Sequence, residues 1–217
     1  MIELRALGNA EIETGVTTLT PSQEIVFAAA LYLVLERGKR VSRTRLASLL
    51  WPRVAEKPRA HRLRQTILQL KKLGIIVRAD RDNLQLSQHD ARSDIDALSV
   101  NEPRVPGGLD SLEFLPGYSP RSSEPLRDWV DAKRAEVHAT VTRALVRDLE
   151  RARFQGDWAS VDKLSSQCLS LDSFNEAAVL AQAEASAMRG GKRKALSILD
   201  RYIAEVGDGQ SDLRLPA

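Results

Sequence analysis

The chain opens with alternating hydrophobic and polar residues and then changes to a helical period. Residues 2–7 and 10–14 alternate on either side of a Gly-Asn pair, which predicts a β-hairpin. Thr20 is of a type that caps helices, and residues 21–37 after it are apolar on nearly all sides. This second pattern predicts a central core helix.

Two further helices and a second hairpin are predicted after the core helix. Ser42 is placed to cap a short leucine-rich helix, which Pro52 stops because proline restricts the residue before it. Another helix is predicted from Pro58 to Gly74, and residues 75–86 read as two strands joined by a turn. The predicted order is hairpin, three helices, hairpin.

Proline and glycine mark a boundary after this part. Residues 99–120 hold four prolines and three glycines, so we predict a linker there, between a domain at 1–98 and another at 121–217. Between residues 124 and 154, apolar residues recur at multiples of three to four positions, which predicts a long amphipathic helix. They are Leu126, Val130, Val137, Val141, Leu145 and Leu149.

The last sixty residues contain a weak repeat. Gly156, Leu164 and Cys168 match Gly190, Ile198 and Tyr202 at an offset of 34 positions. Thirty-four residues is the tetratricopeptide (TPR) period, in which helix–turn–helix units stack on their neighbours. We therefore expect a TPR-like domain, with the long helix packed against its first unit.

Charge is distributed unevenly along the chain. Residues 1–98 carry 16 Lys/Arg against 11 Asp/Glu, whereas residues 99–217 carry 16 against 18. Within residues 37–72 there are 12 basic residues and one acid, Glu56. A solvated face usually intersperses acidic residues, so this segment favours an anionic partner such as nucleic acid.

The helix predicted after Pro58 separates into two faces. Leu63, Ile67 and Leu70 share one stripe, which predicts the core face. The opposite surface is free of acids and carries Leu68 among polar residues. Arg and Lys can bond guanine, Gln can bond adenine, and an exposed aliphatic group can meet a thymine methyl. For Leu68, packing under a loop or a partner is an equally good interpretation.

These residue types suggest a winged helix-turn-helix that binds double-stranded DNA. Base recognition is predicted for six side chains of the helix: His61, Arg62, Arg64, Gln65, Gln69 and Lys72. Contact with the DNA backbone is predicted for four arginines: Arg43, Arg45, Arg78 and Arg81. Phosphate contacts of this kind make binding strongly dependent on salt.

Residues 38–74 resemble the winged helix of the AfsR/SARP (Streptomyces antibiotic regulatory protein) transcriptional activators. The matching positions are Val41-Ser42, Arg45-Leu46, Leu50-Trp51, Arg59, Leu63 and Leu70-Lys71-Lys72. Residues 113–206 resemble the bacterial transcriptional activator domain that follows in that family. In the wing, Asp82-Asn83 stands where the family commonly has Gly-Tyr.

The resemblance implies a fold and a set of partners. The fold is an α+β winged helix-turn-helix of the OmpR-like type, followed by an all-α TPR-like domain. The implied function is transcription activation, with binding to direct repeats in promoter DNA, often as a homodimer. It also implies contact with RNA polymerase, partly through the loop at residues 51–57.

Other chemistries lack their sequence signatures. There is no GxxxxGK[ST], GxGxxG after a strand or HExxH motif, and His61, His89 and His138 are scattered. Cys168 lies on an apolar helix side, which indicates a buried structural thiol. Asp94 and Asp96 are interpreted as exposed polar positions. We therefore expect no enzyme activity, no catalytic or metal site and no cofactor.

The sequence also predicts a cellular location and leaves one alternative function. The longest apolar run has 11 residues, too few to cross a membrane, and the first residues show no secretory signal. A cytoplasmic, nucleoid-associated protein is expected. The alternative function is a protein–protein adaptor, in which the TPR-like domain binds a partner and the winged helix is a docking module.

Overall fold

The computed structural model describes residues 1–98 and 111–211, with side chains as far as residue 207. These residues form two compact units, 1–98 with 111–137 and 138–211. The division falls inside one long helix rather than in the predicted linker. The combination of a mixed α/β part with a helical stack agrees with the prediction.

The first unit begins with a sheet that the hairpin pattern anticipates only in part. Its strands are β1 (Ile2–Arg5), β2 (Glu11–Glu13) and β3 (Thr18–Leu19). Leu4 pairs with Ile12 in an antiparallel register, as predicted. A later strand, β7 (Ala91–Ser93), pairs in parallel with β1 and completes the order β3-β2-β1-β7. This distant partner was not predicted.

Three helices and a wing follow the sheet. They are α1 (Glu24–Leu35), β4 (Val41–Ser42), α2 (Arg43–Leu50), α3 (Glu56–Lys72), β5 (Arg78–Ala79) and β6 (Asn83–Gln85), after which the chain returns to the sheet as β7. The core helix α1 is buried on all sides from residue 27 to 34. The predicted hairpin β5–β6 pairs with β4 through Val41 and Leu84. A two-stranded wing therefore lies beside the three helices.

Two predicted helix starts differ from the structure. Thr20 makes no capping bond, because its hydroxyl bonds to that of Ser22 (2.7 Å) and a 3-10 turn at Pro21–Gln23 precedes α1. Helix α3 begins at Glu56, two residues before Pro58. Proline is tolerated there because the first N–H groups of a helix have no partner within it. The Ser42 cap is confirmed, since its hydroxyl accepts from Arg45 N at 3.3 Å.

Residues 111–120 belong to the first unit, although their proline and glycine content predicts a linker. Phe114, Leu115 and Tyr118 are buried, and the Tyr118 ring meets Phe27 edge-on at 5.0 Å. The chain passes so close to Gly8 that a Cβ there would lie 2.7 Å from a backbone oxygen. The proline and glycine content marks an irregular but packed segment. The rest of the predicted linker, 99–110, lies outside the described residues.

The two aspartates after β7 are structural rather than exposed. The Asp94 carboxylate accepts hydrogen bonds from the backbone N–H groups of Ala6 and Leu7, each at 2.9 Å. Asp96 accepts from Ser93 N at 2.8 Å and pairs with Arg37. Burial raises the pKa of Asp94 despite these bonds. This short turn therefore fastens β7 to the end of β1.

The second unit is a helical stack. The long helix α4 (Glu124–Gln155) enters it and is followed by α5 (Trp158–Leu171), α6 (Glu176–Met188) and α7 (Lys192–Ser211). In this unit α4 meets the next helices where His138 approaches Leu171 O (3.4 Å) and Arg153 pairs with Glu184 (2.6 Å). These polar contacts place the long helix beside the first repeat, and its apolar packing there stays a prediction.

The periodic positions of these helices also behave as predicted. Six apolar positions predicted for α4 are buried: Leu126, Val130, Val137, Val141, Leu145 and Leu149. Cys168 is buried, and burial raises the pKa of its thiol to about 11. The residue is therefore a structural thiol. No helix of the described residues is long and apolar enough to cross a membrane.

Candidate nucleic-acid interface

One side of helix α3 is buried, and this burial determines which side chains of the helix face solvent. Leu63, Thr66 and Leu70 are buried, whereas Ile67 is only half-buried. The inclusion of Thr66 was not predicted, because a hydroxyl usually marks a polar position. Here the hydroxyl is satisfied within the helix, since it donates to Arg62 O at 3.1 Å. The core stripe is thus rotated slightly from the predicted one.

The opposite side of α3 is open to solvent along its length. All six predicted base-contacting side chains are exposed: His61, Arg62, Arg64, Gln65, Gln69 and Lys72. Leu68 lies among them and is 53% exposed, so no loop of the described residues covers it. From residue 57 to 79 the sequence contains no acidic side chain. The surface is cationic with one aliphatic position.

The cations of α3 differ from those of the N-terminal sheet. On the sheet, Arg5 pairs with Glu13 at 3.1 Å, and Arg92 Nε donates to Glu3 at 3.0 Å. Within the described part of the chain, no Lys or Arg of α3 forms an ion pair. An uncompensated cationic helix face attracts polyanions through the field that it creates.

The wing and α2 each bring one more arginine next to α3. A cavity of about 320 Å³ between α2, α3 and the wing is lined by Arg43, Arg64 and Arg81, together with the carboxylates of Glu56 and Asp82. Arg43 is half-buried, and its guanidinium lies 3.4 Å from Asp80 O. The structure therefore groups three predicted DNA-contacting residues around one opening. Arg43 also ties the wing to α2.

The wing turn is held by its own hydrogen bonds. The Asp80 carboxylate accepts from the backbone N–H of Asn83 (2.6 Å) and of Asp82 (2.8 Å), and these bonds lower the pKa of Asp80. Asp82 O in turn accepts from Arg43 N at 2.9 Å. Arg81 is exposed at the tip of this turn. Its position is thus set by a braced backbone.

Two predicted backbone contacts lie elsewhere. Arg45 is exposed on α2 and lies near Tyr32. Burial raises the pKa of Tyr32, and the positive charge of Arg45 opposes part of that rise. Arg45 lies two positions after Arg43, which turns the side chains to nearly opposite sides of α2. Arg78 is exposed on β5. Neither lines the cavity, and their contact with DNA stays a prediction.

Arg59 has a role that the sequence pattern did not indicate. Its Nε donates to Val54 O at 2.9 Å, and Nη1 donates to the Ser48 hydroxyl at 2.6 Å. The side chain therefore joins the end of α2 to the loop before α3. Only a contact between distant groups reveals such a role, so no local signal could have identified it. Arg59 is a structural cation within the basic segment.

Metal-binding side chains do not gather in the described part of the chain. No group of three or more His, Cys, Asp or Glu residues there has a geometry that could hold a metal ion. The grouped side chains are arginines, lysines and amides, which bind anions and base edges.

Comparison with known proteins gives a fold relationship. Neither a protein-family model nor a curated protein matches the sequence. The structure is similar to that of Mycobacterium tuberculosis EmbR in complex with a low affinity phosphopeptide, with a TM-score of 0.63 and 14% sequence identity. The match covers 99% of this chain and 61% of the EmbR chain, so this chain spans about three fifths of that length. At this identity the similarity shows the fold alone.

Proposed function

We propose that the protein is a transcription regulator that binds double-stranded DNA in a sequence-specific manner. The exposed, acid-free face of α3 carries this proposal. The major groove of B-DNA admits an α-helix, and Arg, Lys and Gln are the side chains that read guanine and adenine edges there. His61, Arg62, Arg64, Gln65, Gln69 and Lys72 would face the bases.

Phosphate contacts would fix the position of α3 in the groove. Four arginines are proposed for this role: Arg43, Arg45, Arg78 and Arg81. Of these, Arg43 and Arg81 line the cavity next to α3. Each neutralised phosphate releases counterions, so affinity should fall steeply with salt. Binding to bases and to phosphates can therefore be separated experimentally.

The finer parts of the proposal rest on the resemblance of residues 38–74 to the AfsR/SARP activators. They are an OmpR-like mode of docking, activation from direct repeats in promoters, a homodimer on DNA and a location at the nucleoid in the cytoplasm. RNA polymerase would be contacted by the loop at 51–57. The anchoring of Val54 by Arg59 gives that loop a defined shape for such a contact.

The adaptor alternative makes a different demand on the same surface. A docking module would gain support if Gln65, Leu68 and Lys72 packed against the wing or another element. All three are exposed. Their exposure favours a role of this α3 surface in binding a negatively charged ligand.

Gel-shift titration with an operator selected from random DNA would test the proposal. Arg64→Ala and Lys72→Ala should weaken binding by about 1–3 kcal/mol where a base contact is lost, with relaxed specificity at one position. Loss of a phosphate contact should weaken all sequences alike and reduce the salt slope by about one. Lys163→Ala, an exposed lysine of α5, serves as the control. If both α3 variants bind like the wild type, the assignment of the recognition helix is wrong.

A further inference from the structure

A single hydroxyl joins the beginning of α4 to the end of α2. Ser123 is buried and lies directly before α4. Its oxygen accepts a hydrogen bond from Leu126 N at 3.3 Å, which is the bond that an N-cap makes. Its O–H group donates to Leu49 O of α2 at 2.5 Å. One side chain therefore bonds to two helices, although 74 positions separate Ser123 from Leu49.

The bond to Leu49 O lies at the point where the helix-turn-helix bends. The last four carbonyl groups of a helix have no N–H partner within it, so other groups must supply the donors. Leu49 is in the last turn of α2, and Ser123 supplies a donor to it from a distant part of the chain. Directly after α2, residues 51–55 lead into α3. The bond thus fixes the end of α2 just before the turn.

The turn between α2 and α3 is restrained from two sides. From α3, Arg59 donates to the Ser48 hydroxyl at 2.6 Å and to Val54 O at 2.9 Å. From the start of α4, Ser123 donates to Leu49 O. All three acceptors lie in the last turn of α2 or in the residues after it. Together these bonds set the angle at which α3 leaves α2.

Ser123 can restrain α2 because its own position is fixed. The Glu24 carboxylate, at the start of α1, accepts a hydrogen bond from Ser122 N at 2.9 Å. Within α4, the Trp129 ring lies 4.8 Å from the ring of Tyr32 in α1. The first turns of α4 belong to the first unit. The donor to Leu49 O is therefore held by α1 and α4.

We propose that Ser123 is a positioning residue for DNA recognition, which holds α2 and α3 at the angle that the operator requires. This inference rests on the proposed function, because it concerns the same α3 face. Ser123 is buried, so it acts through Leu49 O rather than by contact with DNA. Without its bond the turn samples other angles, and only molecules with the right angle bind the operator tightly. Binding to non-specific DNA depends on the exposed cations, which remain.

Two substitutions separate this role from the capping of α4. Ser123→Gly removes the donor to Leu49 O but keeps a residue that is nearly as good an N-cap as serine, whereas Ser123→Ala removes both donor and cap. In gel-shift titration of the full chain, both variants should bind the selected operator at least about fivefold more weakly, which corresponds to a competent fraction of about one fifth. Their affinity for scrambled DNA should stay within about twofold of the wild-type value, because the phosphate contacts are unchanged. Ser123→Thr keeps the hydroxyl and should bind like the wild type.

Hydrogen exchange of the full chain without DNA is the second test. In Ser123→Gly, the amides of α2 and of the first half of α3 should exchange at least about fivefold faster than in the wild type, while those of β1 stay protected. Asp94→Ala is the matched control, because it removes hydrogen bonds to Ala6 and Leu7 in the same unit and leaves the bond to Leu49 O in place. It should speed exchange near β1 and keep the preference for the operator over scrambled DNA.

Several results would overturn the proposal. One is a Ser123→Gly variant that binds the operator like the wild type, because the cap of α4 would then explain any loss with Ser123→Ala. Others are an equal loss of affinity for operator and scrambled DNA, a similar loss of preference with Asp94→Ala, or unchanged exchange in α2 and α3. If the wild type selects no operator from random DNA, the proposed function fails, and the exchange experiment still decides whether Ser123 holds α2 and α3.

Discussion

Leu68 offers a sharp test of how α3 meets DNA. The side chain is 53% exposed among cationic and amide side chains, where an aliphatic group gains nothing from water. An apolar contact with a thymine methyl would bury it. Replacing one thymine by uracil removes that methyl and leaves all hydrogen-bonding groups of the base in place. The perturbation therefore isolates a single apolar contact.

The expected magnitude follows from the exposure of Leu68. A buried methyl or methylene is worth about 0.8 kcal/mol, so the thymine-to-uracil change should weaken wild-type binding about fourfold. Full burial of a leucine is worth about 1.5–3 kcal/mol. About half of Leu68 is already covered, so Leu68→Ala should cost about 1 kcal/mol, or roughly fivefold in affinity.

The assay is a double-mutant cycle by fluorescence anisotropy. Each thymine of the selected operator is replaced in turn, and binding is measured with the wild type, Leu68→Ala and the control Leu180→Ala. At one position the loss should occur with the wild type and the control but disappear with Leu68→Ala. Equal uracil effects in all three proteins at every position would refute the thymine contact. The affinity of Leu68→Ala for the unmodified operator then shows whether Leu68 touches DNA in another way.

Four further predictions concern the fold. Asp94→Ala leaves the N–H groups of Ala6 and Leu7 without their acceptor and should lower the free energy of unfolding by about 1–3 kcal/mol in urea. Because burial raises the pKa of Asp94 above its unfolded value, this carboxyl adds stability as pH falls through the folded pKa, and Asp94→Asn should remove that increase. Cys168, with a thiol pKa of about 11, should react with a thiol reagent at pH 8 only on unfolding, and Cys168→Ser gives the blank. Ser42→Ala should cost about 0.5–2 kcal/mol through loss of the α2 cap, with Ser170→Ala as an uncapped control.

Local periodicity predicts most of the helices well. The spacing of apolar residues gives α4 within one residue at its end, and every apolar position singled out in it is buried. The faces of α3 follow from the same rule. The spacing of apolar residues along a helix shows which side of the helix is buried, because each buried position favours an apolar residue. This spacing can be read from the sequence without knowing which element packs against the helix.

The features that were missed depend on distant partners. β7 pairs with β1 across some ninety positions, and Asp94 receives its bonds from the same region. Residues 111–120 look like a linker by composition, yet the aromatic ring of Tyr118 makes this segment part of the first unit. Proline and glycine content indicates turns in the backbone, whereas the packing of a segment depends on the elements that surround it in the fold. A single sequence does not carry that second kind of information.

The basic segment at 37–72 shows how structure refines a charge count. Four of its cations have internal roles: Arg37 pairs with Asp96, Lys39 pairs with Glu36, Arg43 ties the wing to α2, and Arg59 binds the loop before α3. The net charge of the segment therefore overstates what is available to a ligand. What remains is concentrated on the exposed face of α3 and beside the wing. The remaining cations of α3 lie together on one exposed face without acidic side chains, so their grouping, rather than the total charge, identifies the surface proposed to meet DNA.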